Sequence, residues 1–396
     1  MRILRIADIP ADRHGGMSRT MYCTGDALAS LGHQVDYAFT DAFRSTRFPK
    51  LRRFTVPLQV AALVRRRSTQ AGEAYDVVEV HEPLAAFYAL ARRLGSKIPP
   101  LVVFSYGLEE RSHRGALSYR KKKRLSISLK ARLSPLTVVW QARYAVRHAD
   151  HVICSNSEDV DYLRKRGISS TRLTQHHTGV DDVFLQAGKD GDQPRRVGVL
   201  FLGTWVERKG ILDLVPALVK MMRTHRDLPV TIAGCLVEPA PVLACFPDDL
   251  HQRVRIIPRI DSDDELIHIY RSHSILVLPS YFEGQPLVLM EAAAMGLALL
   301  TTSVCGMRDF VHDRSNGLLV DAGDEDALAA RLDDLVRDPT LVRTLGAAAR
   351  TAVRTHTWVS AAAKIERAYN EAVRSDRRNQ AAAARTKSGH SSRRPG

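Results

Sequence analysis

Glu283-Gly-Gln-Pro-Leu-Val-Leu-Met-Glu291 sets two carboxylates with seven residues between them, and the apolar run Ala292-Ala-Ala-Met-Gly-Leu-Ala-Leu-Leu300 follows at once. The Gly-Gln-Pro stretch predicts a helix start with Pro286 at or near the first helical position, where its missing N–H costs nothing. Glu283 then lies on the loop before the helix and Glu291 about a turn and a half inside it. Backbone amides left unpaired at the helix start point into the same space as both carboxylates. Such a place suits a polyhydroxylated, phosphorylated ligand: amides and dipole face the anion, while carboxylates accept from hydroxyls. A bare pair of glutamates at this spacing is usually a solvated helix face. Here the neighbours decide otherwise.

Outward from that stretch, short β-branched runs alternate with helical patterns. In the second half, strands are predicted over Val197–Leu202, Val230–Ala233, Val254–Ile257, Ile275–Leu278 and Ala298–Thr302. Helices there open near Gly210, Asp264, Pro286, Asp324 and Thr340. The first half repeats the pattern, with strands over Arg2–Ile6, Gln34–Ala38, Asp76–Val80, Leu101–Phe104 and His151–Cys154. Its helices are predicted over Met17–Leu31, Pro57–Ala71, Pro83–Leu94 and Ser157–Arg166. Strands joined to helices by short links imply parallel sheets covered on both faces, twice over. The expected fold class is α/β, with two Rossmann-like, doubly wound domains at 1–185 and 197–357. The polar stretch 186–196 reads as the linker. From Ser375 onward Arg, Ser, Gln, Ala and Gly dominate without apolar periodicity, so 374–396 reads as a disordered basic tail.

Composition is that of an ordinary globular chain, with 45% hydrophobic and 26% charged residues. No apolar stretch reaches the ~18 residues of a membrane span. Met-Arg-Ile-Leu-Arg-Ile is read as a strand start, too polar and short for a signal peptide. Five scattered cysteines without metal-like pairing fit a reducing cytoplasm. The net charge of +15 is uneven: residues 1–150 carry 26 Lys/Arg against 12 Asp/Glu, whereas 151–373 carry 25 against 30. That asymmetry points to an anionic partner on the N-terminal half.

In doubly wound folds ligands bind beyond the carboxyl ends of strands, and the chemically interesting clusters follow predicted strands. After the first comes His14-Gly15-Gly16-Met17-Ser18, where paired glycines let backbone approach a ligand or simply make a tight turn. After Val197–Leu202 comes Gly203-Thr204-Trp205-Val206-Glu207-Arg208-Lys209-Gly210, which sets a fixed cation at a helix start suited to a pyrophosphate. His81, in Val80-His81-Glu82-Pro83, ends a buried-looking strand; a lone histidine there is more often structural than catalytic. Asp261-Ser262-Asp263 reads as a helix cap, so no metal site is expected. The segment 111–149 interleaves Arg120-Lys121-Lys122-Lys123-Arg124 with large apolar residues, as does an element lying on an anionic membrane or a basic, partly core-facing excursion.

Taken together, these features resemble the retaining nucleotide-sugar glycosyltransferases of family 4, which have the GT-B fold. Gly15-Gly16, Gly179-Val180-Asp181, Lys209-Gly210, Glu283-x7-Glu291, Gly306, Asn316-Gly317, Trp358 and Tyr369 occur in that family's order and spacing, from Met1 to about Val373. The resemblance implies two domains facing across a cleft, with the helix 358–373 crossing back to the first. Glu291 would bind the donor ribose, and Glu283 with Gly284, Gln285, Pro286 and Leu287 the donor sugar. Lys209, with Arg208 beside it, would meet the pyrophosphate, and Gly15-Gly16 the leaving phosphate. Where the family has His-Gly near the donor sugar, this chain has Tyr106-Gly107; where it has arginine after the first glycine of the Lys-Gly turn, this chain has Thr204. The catalytic candidates are Glu283, Lys209 and His81.

The function so implied is metal-independent hexosyl transfer, with retention, from a nucleoside diphosphate sugar to an acceptor hydroxyl. The acceptor expected is a saccharide or lipid-linked saccharide in cell-surface polysaccharide synthesis, with no cofactor besides the donor. Cytoplasmic placement at the inner membrane face, through 111–149, fits the basic N-terminal half; nucleic acid is not expected as the partner. A catalytically inactive GT-B scaffold on an anionic surface is the rival, and a sugar-nucleotide epimerase a third reading.

Overall fold

The computed structural model describes residues 1–13, 15–44, 51–188 and 198–391. Twelve strands form two six-stranded sheets, parallel throughout. The first holds β1 (Arg2–Ile6), β2 (Gln34–Ala38), β3 (Val77–His81), β4 (Leu101–Ser105), β5 (His151–Cys154) and β6 (Leu173–Gln175), in the order β2-β1-β3-β4-β5-β6. The second holds β7 (Val199–Leu202), β8 (Val230–Ala233), β9 (Val254–Ile257), β10 (Ile275–Leu278), β11 (Ala298–Thr302) and β12 (Leu318–Val320), in the order β12-β11-β10-β7-β8-β9. The central strands are buried from end to end, as strands covered by helices on both faces must be. Two Rossmann-like layers therefore exist as the sequence predicts. Most of the predicted linker, 189–196, lies outside the described residues, as does His14.

Within the first sheet, Arg5 and Glu79 sit opposite one another in register and pair at 2.9 Å, both fully buried. The hydroxyl of Tyr369 donates to the same carboxylate at 2.6 Å. Tyr369 belongs to the last helix, Trp358–Ser391, whose Ala362, Ile365, Ala368 and Ala372 pack on Ile3, Val77, Val102 and Ile153 of the first sheet. The chain thus returns to its first domain. That helix runs on to Ser391, where the sequence reading had a disordered tail from 374. Its Ala-, Arg- and Gln-rich composition continues a helix by propensity without needing apolar periodicity.

Other boundaries moved for local reasons. The helix predicted from Pro57 begins at Arg52 and carries Pro57 inside it, beyond the first turn, where the proline leaves one backbone hydrogen bond unmade. The segment 111–149 is split into the helices Glu109–Lys122, Leu129–Leu133 and Val138–His148.

Candidate functional site

In each sheet the strand order reverses beside its first strand, between β1 and β3 and between β7 and β10. Ligands collect at such switch points. The two face each other across one cleft of about 750 Å³. Ala7 and Asp8 enter it from the end of β1, His81 and Glu82 from β3, Tyr106 and Gly107 beyond β4, and Thr204, Arg208 and Lys209 beyond β7. The loop and helix after β10 contribute 282–288 without a gap.

Glu283 is the centre of the second domain's wall. Lys209 Nζ lies 2.7 Å and an Arg208 guanidinium nitrogen 2.9 Å from the same oxygen, Oε1. Ser280 Oγ donates to that oxygen at 3.2 Å. Burial pushes the carboxyl up, but the two cations outweigh it and hold its pKa below the usual carboxylate range. Glycine is needed on both sides of this group. Gly210, at φ +74°, opens the helix Ile211–Thr224, and a Cβ there would meet the Pro279 carbonyl oxygen at 1.9 Å. A Cβ on Gly284 would stand 2.0 Å from the Tyr106 carbonyl oxygen of the other domain. Pro286 is the N-cap of the helix Leu287–Ala294, whose first two residues, Leu287 and Val288, line the cleft and have no intrahelical partner for their amides.

Glu291, one turn further along, is not among the residues that line the cleft. Its carboxylate is buried and accepts from Tyr270 Oη at 2.9 Å. Burial raises its pKa to about 7, against the pull of Arg19 and the Tyr270 hydrogen bond, with Asp181 and Asp263 adding to the rise. Arg19 comes from the helix Gly16–Ser30 of the first domain and clasps Asp181 at 2.9 Å and Asp263 at 2.7 Å. Ser262 caps the helix Asp263–Arg271, as its sequence predicted, by accepting from the Glu265 amide at 3.2 Å.

On the first domain's wall, neither ring nitrogen of His81 has a hydrogen-bond partner, and neither does the hydroxyl of Tyr106. The two rings stand 4.8 Å apart, and burial depresses the His81 pKa to about 3, so the imidazole is neutral. Glu82, beside it, is pushed up by burial to about 8. Gly16 lines the cleft, with Leu287 4.0 Å from where its Cβ would stand, while Gly15 is the N-cap behind it.

Of the expected residues, then, Gly16, His81, Tyr106, Arg208, Lys209 and 283–287 share one cleft, and Gly15 and Glu291 stand behind its walls. Asp8, Glu82, Glu109 and Ser112 were missed, although Asp8 and Glu82 follow strands and the strand-end rule would have found them. The basic run of 111–149 also divides. Arg120 pairs with Glu207, Lys122 donates to the Ala322 carbonyl at 3.0 Å, and Lys123 pairs with Asp213 and, at 2.9 Å, with Glu325. Tyr119 donates to Asp213 at 2.6 Å and stacks on Tyr281. Arg120, Lys122 and Lys123 thus bridge the two domains, and the charges of Arg120 and Lys123 are neutralised there rather than offered to a surface. Lys121 and Arg124 remain exposed, as do Leu129 at 70%, Leu136 at 77% and Trp140 at 47%. Among the described residues no helix is long and apolar enough to cross a membrane, and no His, Cys, Asp or Glu side chains group as metal ligands.

The profile of the family described as Glycosyltransferase Family 4 matches residues 14–184, and that described as Glycosyl transferases group 1 matches 196–338. Glycogen synthase of Mycobacterium tuberculosis is 26% identical over 313 residues, 77% of this chain and 71% of that protein. Among solved structures, sucrose-phosphate synthase of Thermosynechococcus elongatus superposes with a TM-score of 0.74 at 21% identity, over 93% of this chain and 98% of that one. Anabaena HepE in complex with UDP-glucose superposes with a TM-score of 0.64 at 17% identity, over 92% and 98%. At those identities the two structures speak for the fold alone.

Proposed function

The chain belongs to the glycosyltransferases of the GT-B fold, and from that premise we propose that it moves a sugar, with retention at the anomeric carbon, from a nucleoside diphosphate sugar to an acceptor hydroxyl. One observation carries the reading: Lys209 and Arg208 converge on the buried carboxylate of Glu283, beside a helix start, inside the cleft between two switch points. Two cations on one carboxylate leave an excess positive charge where a diphosphate can sit. The bond from the anomeric carbon to the diphosphate breaks, and its electron pair moves onto the leaving phosphate, stabilised by Lys209 and the Leu287 and Val288 amides. The acceptor oxygen bonds to the same face of that carbon, and its proton passes to the leaving phosphate. Glu283, held ionised, accepts from the sugar hydroxyls, and Glu291 from the ribose. No cofactor beyond the donor is called for.

The first domain's wall would receive the acceptor, with neutral His81 and the Tyr106 hydroxyl free to pair with its hydroxyls. We assign that acceptor to the lipid-linked saccharides of cell-surface polysaccharide synthesis, reached at the inner face of the membrane. The support is a patch at the cleft mouth: Val138 lines the cleft, and exposed Leu129, Leu133, Leu136 and Trp140 flank it with Lys130 and Arg132. Cations interleaved with exposed apolar side chains match an anionic headgroup layer.

Calorimetric titration with UDP, GDP and ADP tests the donor site, repeated on Lys209→Ala and Glu291→Ala. Tight binding of one nucleotide, lost in both variants, is expected. Failure of the folded protein to bind any of them would leave the enzyme reading without its donor.

A further inference from the structure

Away from the donor side of the cleft, the first domain holds a second cavity of about 130 Å³ beside the helices Glu109–Lys122, Val138–His148 and Ser157–Lys165. Leu108, Ala142, Val146 and Leu163 give it buried apolar walls, while Arg143, Arg147 and Arg166 line it with exposed side chains. Glu82 lines both this cavity and the cleft, so the two share a wall beside His81.

The charge around the cavity does not balance. Arg114, Arg143 and Arg166 all reach Oε1 of the buried Glu110, at 2.9, 2.5 and 2.8 Å. Burial pushes the Glu110 carboxyl up, but hydrogen bonds from Arg143 and Tyr162 and the charges of Arg143 and Arg166 hold it below the usual carboxylate range. It is therefore ionised, and one negative charge meets three guanidiniums. Arg147 adds a fourth cation, with no ion pair among the described residues. Arg166 is also fixed in direction: it donates to Tyr162 Oη at 2.7 Å and lies over that ring, 5.0 Å from its centre. Each guanidinium has five N–H donors in a fork that suits phosphate oxygens, and Glu110 takes only one nitrogen of each.

We propose that this cavity binds an amphipathic phosphate, with its alkyl part against Leu108, Ala142, Val146 and Leu163 and its phosphate on Arg143, Arg147 and Arg166. A phosphomonoester carries about two negative charges near neutral pH, close to the excess that Glu110 leaves. An alkyl part is called for because buried apolar walls gain nothing from a bare ion. The surroundings fit the same chemistry: on the helix Val138–His148, exposed Trp140 shares a stripe with Arg143, Tyr144 and Arg147, and its ring lies 5.6 Å from that of Tyr144.

The test is calorimetric titration with hexyl phosphate, inorganic phosphate and 1-hexanol. Hexyl phosphate should bind the wild type about tenfold or more tighter than either fragment, since it alone uses both halves of the site. Arg143→Gln combined with Arg147→Gln should weaken it by about tenfold or more. Arg147→Gln alone, which breaks no ion pair, should weaken it in the same direction. Ala142→Leu, which fills the cavity, should abolish binding in a chain whose circular dichroism is native, and Lys209→Ala, which alters the cleft, should leave it unchanged. Equal affinity for hexyl phosphate and inorganic phosphate would overturn the proposal, as would no binding of hexyl phosphate at all. Binding lost in Lys209→Ala but kept in the arginine variants would overturn it too, by placing the ligand in the cleft. Competition then separates two sources of the same chemistry. Displacement of hexyl phosphate by vesicles of phosphatidic acid, and not of phosphatidylcholine, would assign the site to a lipid headgroup. Displacement by neither would assign it to a soluble phosphorylated amphiphile, and the site stands in both cases.

Discussion

Lys209 Nζ stands 2.7 Å from Oε1 of Glu283, and that same oxygen receives Arg208 at 2.9 Å. The two cations are neighbours in sequence, yet both turn to one side because Gly210 ends their turn in a left-handed conformation. The single carboxylate neutralises only one of them.

Lys209→Met should therefore act mainly on the step in which charge develops on the leaving diphosphate. The expectation is a fall in kcat of about 10²–10³, the usual consequence of removing one group from such a site, with a smaller change in donor KM. Steady-state kinetics with the nucleotide sugar identified by calorimetry would check it. An unchanged kcat with a raised KM would mean that Lys209 only binds.

The buried triad of Arg5, Glu79 and Tyr369 fastens the last helix to the first sheet. Tyr369→Phe should cost about 1–3 kcal/mol, the price of an unmatched buried acceptor. Glu79→Ala should cost about 3–5 kcal/mol, because Arg5 is then left charged and unpaired in the sheet. Denaturant unfolding followed by tryptophan fluorescence reads both, since Trp358 lies at the head of that helix.

Glu82 and His81 give the folded chain opposite responses to pH. The Glu82 carboxyl is raised from 4.5 to about 8 by burial, so between those values the folded chain keeps a proton that the unfolded chain has released. Stability from this group falls as pH rises through that window, and Glu82→Gln should gain on the wild type in Tm from pH 5 to pH 8.5. The His81 pKa is depressed from 6.5 to about 3, so the unfolded chain takes up the proton first on acidification. Stability from His81 is lost as pH falls from 6.5 towards 3, and His81→Gln should flatten that acid limb. A Glu82→Gln chain whose Tm difference from the wild type is constant across the range would contradict the first assignment.

At the cleft mouth, Leu136 and Trp140 are exposed beside Lys130 and Arg132. Co-sedimentation with vesicles rich in phosphatidylglycerol should show binding that weakens with salt and is nearly absent for neutral vesicles. Leu136→Asp with Trp140→Asp should cut the partition coefficient by about tenfold or more, since each removes apolar burial and adds like charge to the surface. Equal partitioning of the double variant would remove this patch from the account of the acceptor.

Much of the site was legible because it is written in contiguous stretches. Glu283 to Leu287, Arg208-Lys209 and Gly15-Gly16 each follow a strand, and strand ends in a doubly wound sheet face the ligand by construction. Asp8 and Glu82 obey the same rule, yet they carry no glycine or cation neighbour to mark them. The run Arg120 to Arg124 stayed open between two readings for a different reason: its charges look alike in sequence, but the partners of Arg120 and Lys123, Glu207, Asp213 and Glu325, lie some 85 to 200 residues away.

The sequence by itself determined the two parallel sheets, the family and the residues that gather at the second domain's helix start. Periodicity, turn chemistry and local spacing act over a few residues, and those signals survive in one dimension. Only the tertiary structure decided which charges are spent between domains and which remain, that His81 and Tyr106 keep unpaired polar atoms in the cleft, and that Arg19 bridges Asp181 and Asp263. Each of these depends on how far a side chain is taken out of water and on what meets it there, which is fixed when separate elements close against one another.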